Sequence, residues 1–375
     1  MRVAVIGREV VNIPGITFSP EYTFVTTDAR TDAAVLAAHE FFHAAQWMYQ
    51  RACPQIDLLQ ITRAWWNFED LRWWMEATAT WAQRQAVIAD TSYVVPPIRD
   101  YLLKPWQHMD TRSRLDRSYF AYSPLFPLYL IERVAGGNTA IIRTTWEEYQ
   151  RSGNCGAMKP VIQRVLGTQN PPTTIERIFP NYTEANYFLA YANEAEFRTM
   201  LLPDAQGRPF RPRQEGYDMN DQRTFVQVPD PAFEGKTVER LGATYIEFRN
   251  GFGNTIGRNL TIEANVEVSD SAVPPIARIW AIRQHSPYQF DSIPVNVQSS
   301  GRQEQRYLYT VRARVLNFDR YRWVTLGFTH TPITGQTRLT YYSASVSQPT
   351  PTPTSTFTPT PTPPPVPTQT RTPTP

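Results

Sequence analysis

The sequence predicts an α+β protein in three parts: a mainly helical domain over 1–200, an antiparallel β-sandwich over 201–347, and a disordered Pro/Thr-rich tail over 348–375. Three observations carry that reading. Runs without Gly or Pro and with helical apolar spacing are confined to the first part. Beyond about Leu201 the pattern changes to strict alternation, as in Leu260, Ile262, Ala264, Val266 and Val268. The last stretch holds eleven of the thirty-three prolines and a single charge, Arg371, so it cannot build a core. A chain of 375 residues has room for two domains and an appendage. A net charge of +3 is too small to argue for nucleic acid or a membrane surface as partner. No apolar run approaches the length of a transmembrane helix.

Residues 1–30 read as short strands, with turns at Asn12-Ile13-Pro14-Gly15 and Ser19-Pro20 and a last strand over Tyr22–Thr27. The Ala-rich run from Asp32 to Gln50 then predicts a helix capped by Thr31 or Asp32. Inside it stands His39-Glu40-Phe41-Phe42-His43, an H-E-x-x-H pattern. Histidines four apart on a helix lie one above the other and can reach one metal ion. Glu40 sits about 100° around from His39, beside such an ion rather than on it, where it can take a proton from an activated water. A second helix is predicted from Asn67 to about Asp90. Its Glu76 is flanked by Trp73, Trp74, Met75, Ala77 and Ala79, and a carboxylate in that setting needs a cation or a hydrogen-bond partner.

The two stretches together, H-E-F-F-H-A-x-Q and, some thirty residues on, W-x-x-E-A-x-A-x-W, resemble the gluzincin type of zinc metallopeptidase, the broad thermolysin-like clan. The resemblance spans roughly residues 20–195. It implies a zincin-like domain, Zn²⁺ as cofactor, His39, His43 and Glu76 as its ligands, and Glu40 as general base. It also implies that the strand over Tyr22–Thr27 lines the cleft and pairs with an extended substrate. One departure is plain: the clan places an acidic partner for a histidine four residues after the third ligand, whereas this chain has Thr80.

Six of the ten tryptophans fall between Trp47 and Trp81, and their main expected role is to pack these two helices together. From Thr91 to Asp116 the periodicity is lost around Pro96-Pro97 and Pro105, which predicts a loop with a solvated His108. A helix follows, capped by Ser123, carrying Pro124 and Pro127 in its first turn and stopped by Gly136-Gly137. In related peptidases a Tyr precedes this helix and donates to the oxyanion of the tetrahedral intermediate. That makes Tyr122 the expected catalytic donor and Tyr119 the second choice. Further helices are expected over 139–151 behind Asn138, over 158–166, and over 174–196 with a break at Pro180.

The sandwich region, with turns at Asn250-Gly251 and Thr334-Gly335, shows no cluster of ligands or nucleophiles and reads as an accessory module. No signal peptide is visible. The tail resembles the spacers of exported bacterial enzymes and points to an extracellular or cell-surface location, with a route to cell-wall association. Cys53 and Cys155 are compatible with one bridge or with two separate thiols. The function that follows is hydrolysis of a polypeptide substrate by a metal-activated water. The competing readings are a non-catalytic extracellular binding or adhesion protein that keeps the metal site as scaffold, and the same site acting on another amide or an ester.

Overall fold

The structure, a computed structural model, describes residues 2–6, 16–19, 22–26, 33–50, 69–86, 94–109, 123–153, 158–192, 194–201, 210–219, 225–227, 233–251, 257–269, 273–332 and 335–347. Helix and sheet are segregated along the chain, an α+β arrangement. A small sheet comes first, formed by β1 (Arg2–Ile6), β2 (Ile16–Ser19) and β3 (Tyr22–Thr26). Its order is β1-β3-β2, with β1 parallel and β2 antiparallel to β3. β3 is therefore the inner strand, paired on both sides. This corrects the expectation that it offers an edge to a substrate: among the described residues the strands with a free side are β1 and β2.

Among the described residues eight α-helices follow: α1 (Ala33–Gln50), α2 (Glu69–Ala86), α3 (Val95–Leu103), α4 (Leu125–Tyr129), α5 (Ala140–Ser152), α6 (Met158–Gly167), α7 (Ile175–Phe188) and α8 (Glu194–Met200). Two depart from expectation. α3 occupies a stretch predicted as loop, because Pro96 and Pro97 fall in its first turn, where no backbone N–H is needed. α7 runs through Pro180 and stops at Leu189, which adopts φ 50° while its neighbour Ala190 donates back to the Ala185 carbonyl. α4 winds on as a π-turn over Leu130–Val134 before the two left-handed glycines, Gly136 and Gly137, end it. Asn138 does cap the next helix, its Oδ1 accepting from the Ala140 N–H at 3.0 Å.

α1 packs against α2 and α5 and, on another side, against β2 and β3. Two of the tryptophans of α2, Trp73 and Trp74, face elsewhere. Trp73 and Trp74 pack on Phe126 of α4, and the Trp74 indole N–H donates to Thr145 of α5 at 3.2 Å. Trp81 of α2 does meet α1, where the edge of Phe42 lies against it with centroids 6.3 Å apart.

The C-terminal strands are β4 (Glu215–Met219), β5 (Phe225–Gln227), β6 (Thr237–Glu239), β7 (Gly242–Asn250), β8 (Asn259–Ser269), β9 (Ile276–Arg283), β10 (Phe290–Ile293), β11 (Asn296–Gln303), β12 (Arg306–Val315), β13 (Tyr321–His330) and β14 (Gln336–Ser347). They make a five-stranded sheet, β10-β9-β13-β7-β4, and a six-stranded one, β11-β12-β8-β14-β5 with β6 beside β14. The pairing is antiparallel except for β4, which runs parallel to β7. The alternation read in β8 puts Leu260, Ile262, Ala264, Val266 and Val268 into the layer between the sheets, where Tyr309, Val311, Ala313 and Val315 of β12 join them. On the outer face Arg312 of β12 meets Glu263 of β8 at 2.8 Å.

β13 is buried on both faces, and that joins the two halves of the chain. Val324, Leu326 and Phe328 point into the sandwich, while Trp323 joins Tyr187, Phe188, Tyr245 and Trp280 in a separate core between α7 and the five-stranded sheet. Thr183 Oγ1 lies 3.3 Å from Thr329 Oγ1, and Tyr245 donates to the Thr183 carbonyl at 3.2 Å. The segment after α3 docks on β6 and β7, one from each sheet: the Glu239 and Ala243 N–H groups donate to the carbonyls of Trp106 and Pro105. Gly242 permits this approach, since a Cβ there would stand 2.5 Å from the Trp106 oxygen. This docking buries His108, which is not solvated as its polar surroundings in sequence suggest. Burial, with Lys159 and Arg240 nearby, pushes its pKa down to about 2.

Candidate metal centre

Local sequence decides how α1 and α2 face each other. On α1, Val35, His43, Gln46 and Trp47 turn inward, whereas Phe41, Ala45 and Met48 remain exposed. On α2, burial is nearly continuous from Trp73 to Thr80, because α4 and α5 take the tryptophan side and α1 takes the side bearing Glu76. The i, i+4 histidines of α1 and Glu76 of α2 meet across that seam.

Three ligand atoms converge there. The Nε2 atoms of His39 and His43 are 3.0 Å apart, and Glu76 Oε2 lies 3.3 Å from the first and 3.5 Å from the second. These residues can hold a metal ion; among the described residues they form the only such group of three or more His, Cys, Asp or Glu side chains. The His39 side chain is 12 % exposed and the other two 5 %, so solvent reaches the triad from the His39 side. Glu40 is itself buried, and its charge acts on His43.

The electrostatics are those of a site built around positive charge. Burial by itself would lower the His43 pKa, but the Glu76 carboxylate against the ring, with Glu40 nearby, outweighs it and pushes His43 up to about 9. Burial would likewise raise Glu76; the facing His43 charge and hydrogen bonds from both rings hold it well below the usual carboxylate range. Arg72, one turn before Glu76, places its Nε 4.0 Å from Oε1 and leaves Oε2 to the histidines.

Sequence reasoning brought His39, His43, Glu76 and Glu40 to attention, and it missed the residues behind the rings. His39 Nδ1 lies 3.1 Å from Gln83 Oε1, and His43 Nδ1 lies 2.7 Å from Gln46 Oε1. Both glutamines carry a helical signature: Gln46 is three residues after His43, and Gln83 is seven after Glu76, on the same faces. Thr80 is buried on α2. Tyr122, Tyr119, Cys53, Cys155 and the tail over 348–375 lie outside the described residues. Among the described residues no helix is long and apolar enough to cross a membrane.

No protein-family model matches the chain, and no curated protein matches it either. Among solved structures, the pre-peptidase C-terminal domain of collagenase from Bacillus anthracis is matched over 36 % of this chain and 97 % of that one, at 9 % identity and a TM-score of 0.18. Superposition at that level does not define a fold for this chain.

Proposed function

We propose that the chain is a zinc-dependent peptidase of the gluzincin type, with residues 1–200 as its zincin-like catalytic module and 201–347 as an accessory sandwich. The observation that carries this reading is the triangle of ligand atoms, with edges of 3.0, 3.3 and 3.5 Å. Tetrahedral Zn²⁺ with bonds of about 2.0–2.1 Å has ligand–ligand edges of about 3.3–3.4 Å, so two imidazoles and one carboxylate at these spacings fit it and leave a fourth position open. Two nitrogens and one oxygen are also the donor set of catalytic rather than structural zinc.

When bound, zinc polarises a carbonyl and brings the pKa of a water down to about 7. The chain's own residues do the rest. Glu40, one residue after the first ligand and buried beside His43, takes the proton of the attacking water. It then returns that proton to the leaving amine nitrogen. Tyr122 is assigned as the donor to the developing oxyanion. Arg72 offsets part of the Glu76 charge, and the two glutamines orient the rings. The Pro/Thr-rich tail supports an extracellular or surface-attached enzyme with polypeptide substrates.

Metal analysis of the purified protein, combined with digestion of casein and a peptide library with and without chelator, tests this. Stoichiometric zinc and chelator-sensitive cleavage are expected. Stoichiometric zinc with no cleavage of any peptide would favour the binding or adhesion protein, and absence of zinc would overturn both.

A further inference from the structure

The hydrogen bonds around Gln46 can be followed proton by proton. Thr78 Oγ1 lies 2.7 Å from the Trp74 carbonyl, which commits the hydroxyl proton to that bond. Its lone pairs are thus available to the Gln46 side-chain nitrogen, 2.9 Å away. The same nitrogen lies 3.0 Å from the Met75 carbonyl. Two acceptors on one nitrogen use both amide protons, so the opposite end of the amide is the oxygen. That oxygen sits 2.7 Å from His43 Nδ1 and requires Nδ1 to carry a hydrogen. In the neutral imidazole that a metal ion requires, His43 Nε2 is then the nitrogen that carries the lone pair, and it lies toward His39 Nε2 and Glu76 Oε2.

Gln46 is 1 % exposed and sits on the opposite helix from both of its α2 partners, the Met75 carbonyl and Thr78. A glutamate there would keep the acceptor but would turn a carboxylate oxygen toward the Met75 carbonyl. It would also add a third buried carboxylate to Glu40 and Glu76. An apolar side chain would keep neither end. Glutamine alone joins an acceptor to a two-proton donor at this reach.

We propose that Gln46 is a positioning residue that works as a neutral strut. One end fixes His43 as the Nδ1–H tautomer with its Nε2 lone pair on the metal, and the other end sets the spacing of the two ligand-bearing helices. This inference rests on the metal reading given above. Gln83 does only the first half of this work, because its Nε2 is buried without a hydrogen-bond partner among the described residues. The strut explains how the chain dispenses with an acidic partner for its histidines: the orienting group comes from α1 itself, and its far end is anchored on α2.

The test measures zinc affinity by competition with a chromophoric chelator, the melting temperature of the metal-free protein, and the visible spectrum of the cobalt-loaded form. Gln46→Met is expected to weaken zinc binding about 10- to 100-fold, in the range for lost partners of ligating histidines. It should also shift the cobalt bands, which a purely structural role would leave in place. Gln83→Met should weaken zinc less than Gln46→Met. Thr78→Val, which spares the contact with the ring, should lower the metal-free melting temperature and change zinc affinity less than about threefold, leaving the partner of the ligating His43 in place. Gln46→Met with wild-type zinc affinity and an unshifted cobalt spectrum overturns the strut while the metal reading stands. If Gln46→Met does not fold, Gln46→Glu decides: a metal-free melting temperature equal to wild type would show that the donor end does nothing. A wild-type protein that takes up no zinc overturns the metal reading and the strut with it.

Discussion

The ring of Tyr187 on α7 stacks on the indole of Trp280 on β9, with centroids 5.4 Å apart and planes within 17°. Tyr187 also meets Thr325 of β13 through its hydroxyl, at 2.7 Å. Both rings are fully buried between the helical part and the five-stranded sheet. Truncating either one should therefore loosen that seam. Tyr187→Ala or Trp280→Ala is expected to cost about 3–5 kcal/mol, as for large aromatic truncations in cores. Zinc affinity should be unchanged, since every proposed ligand lies across α1 and α2. Urea unfolding of the zinc-free proteins, beside a chelator titration, measures both.

Glu40→Gln keeps the size of the side chain but removes the base. Peptide hydrolysis is expected to fall by about 10²- to 10⁴-fold or more, with zinc content unchanged. Turnover equal to wild type would remove Glu40 from the chemistry.

His39→Ala and Glu76→Ala each break the triangle of donors. Added zinc should raise the melting temperature of the wild-type protein and should fail to do so for either variant at the same concentration, because metal binding is linked to folding.

The metal-free protein should show a definite pH profile. His43 has its folded pKa raised from an ordinary 6.5 to about 9, so the stability it contributes is complete below pH 6.5 and is lost as pH rises through about 9. Glu76 has its pKa lowered from 4.5, so its contribution is present above about pH 4.5 and is lost as pH falls. Metal-free stability should thus be greatest between these limits. Zinc needs deprotonated ligands, so the gain in melting temperature on adding zinc should widen from pH 6.5 to 9. Thermal melts with and without zinc across that range give the comparison.

Tyr122→Phe is expected to reduce turnover about 10- to 1,000-fold, as for loss of one oxyanion donor, with zinc bound as before. Parallel measurement of Tyr119→Phe identifies which phenol is used.

Much of this was legible in the residues themselves. α1 lies within one residue of its expected start and ends where expected, because an Ala-rich run without breakers has no competing local structure. The donors were legible too, since four-residue spacing on a helix dictates a shared face. What escaped is of two kinds. Pro96-Pro97 and Pro180 suggest breaks in sequence, although a first-turn proline loses nothing and tertiary burial carries α7 past Pro180. The surroundings of His108, the inner position of β3 and the glutamines behind the histidines depend on which elements meet. Spacing along one segment does not contain that information. Asn250-Gly251 shows the same limit: it follows β7 of one sheet and precedes β8 of the other, so it closes no hairpin.

β13 comes late in the chain and covers a surface made much earlier, since Thr325 follows its partner Tyr187 by 138 residues. On a ribosome adding about 5–20 residues per second, the Tyr187 hydroxyl waits on the order of ten seconds for its Thr325 partner to be synthesised, after Tyr245 of β7 and Trp280 of β9. Throughout that interval the nascent chain already carries His39, His43 and Glu76, the three residues that could hold a metal ion.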